Sequence, residues 1–352
     1  MKKPNLRNYT LEELRTLIED LGEPSYRANQ IFHWITCKDA LTFEEMTDLP
    51  KTLRKKLEER FSLEIPEIIE KVSDKEGTTK FALKLADGEI IECVVIPERD
   101  HYTLCVSTQV GCAMGCKFCL TAKGGFKRNL EVYEIISQVT IARKFLKEKG
   151  EILPLRNIVF MGMGEPLANY PNLLKALKIL AHKQGFNFSR KRLTVSTVGL
   201  VDKIRKLATD FPVALAISFH APDEKLRQEL IPIAKVYPLE ELMKAIKEFP
   251  RVKNGRTTIE YVLIKNVNDG LEHAYGLVKL FKGLPVKINL IPFNPHPELP
   301  YKRPEPDKIE AFQKFLLSYG ILTTVRKSKG LEISAACGQL RRRLISNPIL
   351  QQ

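Results

Sequence analysis

Apolar residues in the first 62 positions recur at the three- and four-residue spacing of amphipathic helices. Leu11, Leu14, Leu17 and Ile18 mark one face, Ala28, Ile31, Phe32 and Trp34 a second, and Leu53, Leu57 and Phe61 a third, because residues three and four apart share a side of a helix. From Ile65 to Pro97 the period changes to two. Phe81, Leu83 and Leu85 alternate with Ala82 and Lys84, Ala86-Asp87-Gly88 supplies a turn, and Ile90 to Ile96 runs back, a pattern that predicts a β-hairpin. Beyond residue 100, strand-like runs at 103–108, 157–160, 193–196, 213–219, 257–264, 286–291 and 322–326 alternate with helical patterns, such as Leu173, Leu174, Leu177 and Leu180 ending at Gly185. Repeated strand–helix units predict a parallel sheet or open barrel, an α/β architecture that gathers ligands at the C-terminal ends of its strands.

A chain of 352 residues with 44% hydrophobic and 28% charged side chains can bury a sizeable core, which excludes fibrous and wholly disordered classes. Its longest apolar run, Val213 to Phe219, contains a serine and is far shorter than the roughly 20 residues of a membrane helix. Met1-Lys2-Lys3 is followed by Asn5, Arg7, Asn8, Glu12 and Glu13 and not by an apolar segment, so a cytoplasmic location without membrane attachment is expected. The net charge of +14 is unevenly spread: residues 1–90 carry 15 basic and 18 acidic side chains, residues 91–352 carry 41 and 24. A one-sided basic excess suits a polyphosphate partner, although solubility alone also favours net charge. Lys127-Arg128, Arg190-Lys191-Arg192, Arg326-Lys327-Ser328-Lys329 and Arg341-Arg342-Arg343 are the candidate phosphate contacts.

Seven cysteines, an odd number, argue against a disulfide framework in a non-secreted chain. Cys37 and Cys93 are solitary, Cys105 and Cys337 stand apart, and Cys112, Cys116 and Cys119 form C-x3-C-x2-C directly after the first strand of the repeating series. Three thiolates on one loop hold three corners of a [4Fe-4S] cubane and leave its fourth iron open, where an electron-transfer cluster has four cysteine ligands. A zinc site is the alternative, but structural zinc takes four protein ligands from paired knuckles, and no second knuckle is present.

This loop, with Phe118 before its last cysteine, resembles the radical S-adenosylmethionine superfamily, whose fold is a partial (β/α)6 barrel. That resemblance implies S-adenosylmethionine chelated at the open iron. Met161-Gly162-Met163-Gly164-Glu165-Pro166 resembles the superfamily's Gly-Gly-Glu-Pro segment, implied to hold the methionine amino group. Gly164, Glu165, Ser196, Ser218, Phe219, His220 and Asn294, at or just beyond strand ends, are the implied cofactor contacts, although a polar residue at a strand end can equally cap a helix or close a turn.

Residues 105–112 (CVSTQVGC), 125–130 (GFKRNL), 160–167 (FMGMGEPL), 218–221 (SFHA) and 335–340 (AACGQL) carry a closer resemblance, over essentially the whole chain, to the RlmN family of dual-specificity adenosine methyltransferases that act on 23S ribosomal RNA and on transfer RNA. It implies a helical accessory, RNA-binding domain over 1–62, a hairpin extension over 63–98, a catalytic barrel over 99–345 and a tail over 346–352. It also implies two S-adenosylmethionine molecules per turnover: one methylates Cys337, and the second generates a radical that activates the S-methyl group for addition to the adenine. Glu92 is implied to take the ring proton, and Cys105 to attack the sulfur linkage and leave a Cys105–Cys337 disulfide. A flavodoxin-type electron donor and a monomeric chain are expected. Two other readings stay open: a Cfr-type carbon 8 methyltransferase on the same scaffold, and a non-catalytic iron–sulfur RNA-binding module.

Overall fold

The structure, a computed structural model, describes residues 3–326, 329–330, 332–335 and 338–340. The three predicted amphipathic segments are helices α1 (Leu11–Asp20), α2 (Tyr26–Thr36) and α3 (Lys51–Arg60). Thr10 and Glu13 close a reciprocal capping box at the start of α1, which satisfies two of the backbone donors that a helix start leaves free. Strands β1 (Glu67–Ser73), β2 (Thr79–Lys84) and β3 (Ile90–Pro97) follow. The expected hairpin is therefore a three-stranded antiparallel meander, because β1 pairs with β2 as well. The meander is not separate from the barrel, since β3 pairs antiparallel with β4 (Tyr102–Cys105).

From β4 onward the sheet is parallel: β4, β7 (Leu155–Phe160), β8 (Leu193–Thr197), β9 (Ala214–Ser218), β10 (Thr257–Leu263), β11 (Val286–Pro292) and β12 (Thr323–Val325) lie side by side in that order. A second, two-stranded sheet joins β5 (Gln109–Gly111) to β6 (Phe126–Asn129). The helices between strands are α4 (Leu120–Lys123), α5 (Val132–Glu148), α6 (Tyr170–Ala181), α7 (Val201–Asp210), α8 (Glu224–Leu230), α9 (Leu239–Glu248), α10 (Leu271–Phe281) and α11 (Pro306–Ser318). This is the expected partial barrel, with a short seventh parallel strand, β12, beside β11. Every predicted strand run is present, but α6 stops at Ala181, four residues before Gly185. That glycine serves a different contact: a Cβ there would fall 2.7 Å from the Phe32 ring of α2.

Period-two patterning separates the inside of the barrel from its helical coat. Along β10, Thr258, Glu260 and Val262 line internal cavities, while Ile259, Tyr261 and Leu263 are fully buried on the other face, Tyr261 against Phe312 of α11. Helix α5 is buried along eleven consecutive residues, Val132 to Ala142, because it lies between the sheet and the N-terminal helices. The fully buried Arg7 donates to the Ile35 and Ala40 carbonyls and to Thr140 Oγ1 of α5, and Arg143 of α5 donates to the Thr36 and Cys37 carbonyls. The helical segment is thus bolted to the barrel through its backbone carbonyls. Among the described residues no helix is long and apolar enough to cross a membrane.

Candidate active site

The cysteine segment is the link from β5 to α4. Gly111, at φ +76°, starts it, and a Cβ there would lie 1.8 Å from the Gly125 carbonyl, so only glycine allows β5 and the Gly125 turn to approach this closely. Cys112 N then donates to Gly125 O at 2.9 Å, Lys117 N to Leu230 O at 3.0 Å and Cys119 N to Cys116 O at 3.2 Å. These bonds turn Cys112, Cys116 and Cys119 toward one cavity at the C-terminal ends of the parallel strands. None of the three is in a disulfide. Burial pushes the Cys112 thiol up to about 12 and Cys116 well above its ordinary value, because a thiolate crowded by other thiols in an apolar site lacks compensating charge.

The opposite wall is the glycine-rich turn after β7. Gly162 and Gly164 lie so close to β5 and the residues before it that a Cβ would meet Val106 O at 2.7 Å and the Gln109 side chain at 2.5 Å respectively. Gln109 Oε1 accepts from Glu165 N at 2.8 Å, and Ser107 Oγ accepts from Met163 N at 2.8 Å. The Glu165 carboxylate accepts from Leu167 N and, with its other oxygen, from Val198 N after β8. Despite those two donors, burial raises its pKa to about 7. Ser196, Ser218, His220 and Asn294 complete the same wall. His220 has φ +59°; its Nδ1 accepts from Val262 N at 3.0 Å, and its ring meets Phe118 edge-on at 4.6 Å. Burial pulls its pKa down to about 3, so it is a neutral imidazole at physiological pH.

The radical SAM superfamily profile matches residues 106–278, and the profile of the ribosomal RNA large subunit methyltransferase N-terminal domain matches residues 4–63. A Nitratiruptor protein named dual-specificity RNA methyltransferase RlmN is 49% identical and covers 96% of this chain and 97% of its own length. An Aquifex aeolicus protein, named a probable dual-specificity RNA methyltransferase RlmN, is also 49% identical, covering 95% of this chain and 96% of itself. The chain belongs to the RlmN family. In three dimensions it is similar to a radical SAM methyltransferase from Sphaerobacter thermophilus, with a TM-score of 0.91, 44% identity and coverage of 96% of this chain and 99% of that one. It is accordingly a radical SAM RNA methyltransferase whose cofactors are a [4Fe-4S] cluster and S-adenosylmethionine.

The residues present fit those groups. Three unpaired thiols at one end of a cavity, and a buried carboxylate with neutral polar groups along its wall, are a donor set for an iron cluster and an amino-acid head group. Among the described residues no three His, Cys, Asp or Glu side chains surround a single-ion position, and ligands to separate irons of a cubane need not. Cys105, at the end of β4, also lines the cavity. Two expected residues do not. Phe219 follows the inward Ser218, so strand alternation turns it outward against Phe281. Glu92 lies on the same face of β3 as the cavity-lining Ile96, but is buried in an ion pair with Lys80 at 3.1 Å.

Cys337 lies outside the described residues. Ala335 and Gly338, near it in sequence, both line the cavity, and Gly338 O accepts from Leu120 N at 2.9 Å, next to Cys119. Of the basic runs, Lys327, Ser328 and Arg341-Arg342-Arg343 also lie outside. Arg128 is committed to Asp87 and, through two nitrogens, to Glu134, which leaves it poorly placed for phosphate.

Sequence reasoning missed several supports. Ser107 Oγ donates to Glu92 O at 2.5 Å, and the Ser107 backbone exchanges two bonds with Gln138 of α5. Asn268, fully buried, clamps the end of β10 to the His220 carbonyl through four contacts, to Ile264 N, Val262 O, His220 O and Tyr261 Oη. Lys80 and Glu260 were missed as well; a lone charged residue inside a strand pattern is the one sequence signal that marks them.

Proposed function

We propose that this chain methylates carbon 2 of adenosine in 23S ribosomal RNA and in transfer RNA, with Cys337 as the methyl carrier. One observation supports this most: a single cavity is lined by the three cluster cysteines, by the Gly164-Glu165 turn, by Cys105 and by Ala335 and Gly338, which flank Cys337 in sequence. Carbon 2, between two ring nitrogens, is electron-poor and does not accept a methyl cation by displacement. The bound cluster and S-adenosylmethionine supply a transferable methyl group and, after one-electron reduction, hydrogen-atom abstraction. The protein's part is to present a sulfur that can carry the methyl group and be released again. Cys337 Sγ takes the methyl group and joins it to the base. Once the adduct has given up one electron, which would return to the cluster, Glu92 accepts the carbon 2 proton; the Cys105 thiolate then attacks Cys337 Sγ, forming a disulfide and leaving the sulfur–carbon bonding pair on the former methyl carbon, which takes up a proton to become the product methyl group.

Lys80 bears on the proton step. Its ammonium lies 3.1 Å from Glu92 Oε1 and so sits against the carboxylate that would take the proton. Because Lys80 Nζ also donates to Ser334 O at 3.3 Å, the pair is tied to the segment that leads to Cys337. A flavodoxin-type one-electron donor, a monomeric chain and a cytoplasmic site of action complete the reading.

Cysteine replacement tests it. Cys105→Ala is expected to accumulate a covalent protein–RNA adduct that survives denaturation, and Cys337→Ala to form none. An adduct trapped in the Cys337 variant would reverse the two roles, and S-methylation absent from Cys337 by peptide mass spectrometry would refute the carrier.

A further inference from the structure

Glu260 is set apart from the other groups inside the barrel. It lies midway along β10 and lines both the cavity described above and a second cavity in the N-terminal half of the barrel. That second cavity carries Lys191, Arg192, Arg251, Arg256 and Lys287 on its wall, a concentration of positive charge suited to a phosphate chain. Glu260 is only 5% exposed. Its Oε1 accepts from Asn289 Nδ2 at 3.1 Å, and the Asn289 amide is itself fixed because Thr324 Oγ1 donates to its Oδ1 at 2.6 Å. Its Oε2 is buried with no hydrogen-bond partner. Arg326, which lines both cavities, and Lys287 act on this carboxylate through their charge, but neither fills the place at Oε2; a buried acceptor left unpaired is costly, so the site has room for a donor from a bound substrate.

Resting on the proposed function, the identity of that donor follows from the substrate. A nucleotide whose phosphates lie along the basic cavity and whose base reaches toward the cysteine loop passes Glu260. Adenine differs from purine and hypoxanthine in offering an exocyclic amine that can donate. We infer that Glu260 Oε2 accepts a hydrogen bond from the exocyclic amine of the target adenine and so sets base specificity. A 6-oxo group in the same place would bring two acceptors together and be rejected.

A chemical double-mutant cycle tests this on the reconstituted holoenzyme with S-adenosylmethionine. RNA stem-loops carry adenosine, purine riboside or inosine at the target position, and single-turnover methylation is compared in wild type and Glu260→Ala. The wild type is expected to lose about tenfold to a hundredfold when the amine is removed, the range for one hydrogen bond to a charged group, and Glu260→Ala to lose less than about twofold. Equal ratios in the two proteins, or a wild-type ratio near one, would overturn the inference. Glu260→Gln guards against a folding defect: its amide can turn an N–H outward, so its inosine-to-adenosine ratio should rise several-fold, and an unchanged ratio would overturn the inference too. The same cycle read as equilibrium RNA binding does not need turnover, so failure to methylate carbon 2 would contradict the proposed function while leaving this contact tested.

Discussion

Replacing Lys80 by Met removes one charge from a pair in which both side chains are almost wholly inaccessible, 2% for Lys80 and 1% for Glu92. The methionine keeps most of the aliphatic stem, so the packing change is small. What is lost is the ammonium 3.1 Å from the carboxylate and its 3.3 Å bond to Ser334 O. Breaking one side of a buried pair typically costs about 3–5 kcal/mol because the remaining charge stays desolvated, and the lost carbonyl bond adds about 1 kcal/mol. Lys80→Met should therefore be destabilised by about 4–6 kcal/mol at pH 7.5. The double variant with Glu92→Gln should recover most of that, since the carboxylate that faced the ammonium is then neutral as well. Urea unfolding of the cluster-free proteins, followed by circular dichroism, gives these losses. A Lys80→Met loss under about 1 kcal/mol, or single-variant losses that simply add in the double variant, would refute the account of this pair.

Other outcomes follow from the same geometry. Cys116→Ala should purify without the brown chromophore and with little bound iron, since two thiolates on the loop cannot hold the cluster; full iron content would contradict the ligand assignment. Gly164→Ala places a Cβ 2.5 Å from Gln109 at φ +99°, so it should cost about 1–3 kcal/mol in stability and weaken S-adenosylmethionine binding, both readable by thermal melting with and without cofactor. Glu165, raised to about 7 by burial, accepts more strongly from the methionine amino group when it is ionised. Cofactor affinity should thus fall as pH drops below about 7, and Glu165→Gln should bind weakly with a flattened pH dependence; a wild-type affinity constant from pH 8 to pH 6 would count against that role.

The parallel strands were legible because the inside and outside of a barrel differ at every second residue, so β10 announces itself in Thr257 to Leu263 without any homologue. The cysteine loop was legible because its chemistry depends on local spacing. Strand β1 was not, since Glu67 to Ser73 is a largely exposed edge strand with no buried face, and an apolar pair such as Ile68-Ile69 carries no period. The Lys80–Glu92 pair depends on the register that sets Ala82 opposite Glu92, which no single-strand pattern reveals. Phe219 illustrates the converse: it lies between Ser218 and His220, and alternation past the end of β9 packs its ring against Phe281, so a cofactor contact at that position falls to its backbone.

Nucleoside mass spectrometry after a reconstituted reaction tests the central claim most directly. The protein, loaded with iron and sulfide and reduced by one-electron donation, is incubated with S-adenosylmethionine and with 23S ribosomal RNA or transfer RNA fragments, and the RNA is then digested. Methylation at carbon 2 of a single adenosine, lost in both Cys116→Ala and Cys337→Ala, is the predicted result. Methylation at carbon 8, or RNA binding with no methylated product from a fully loaded cluster, would contradict it.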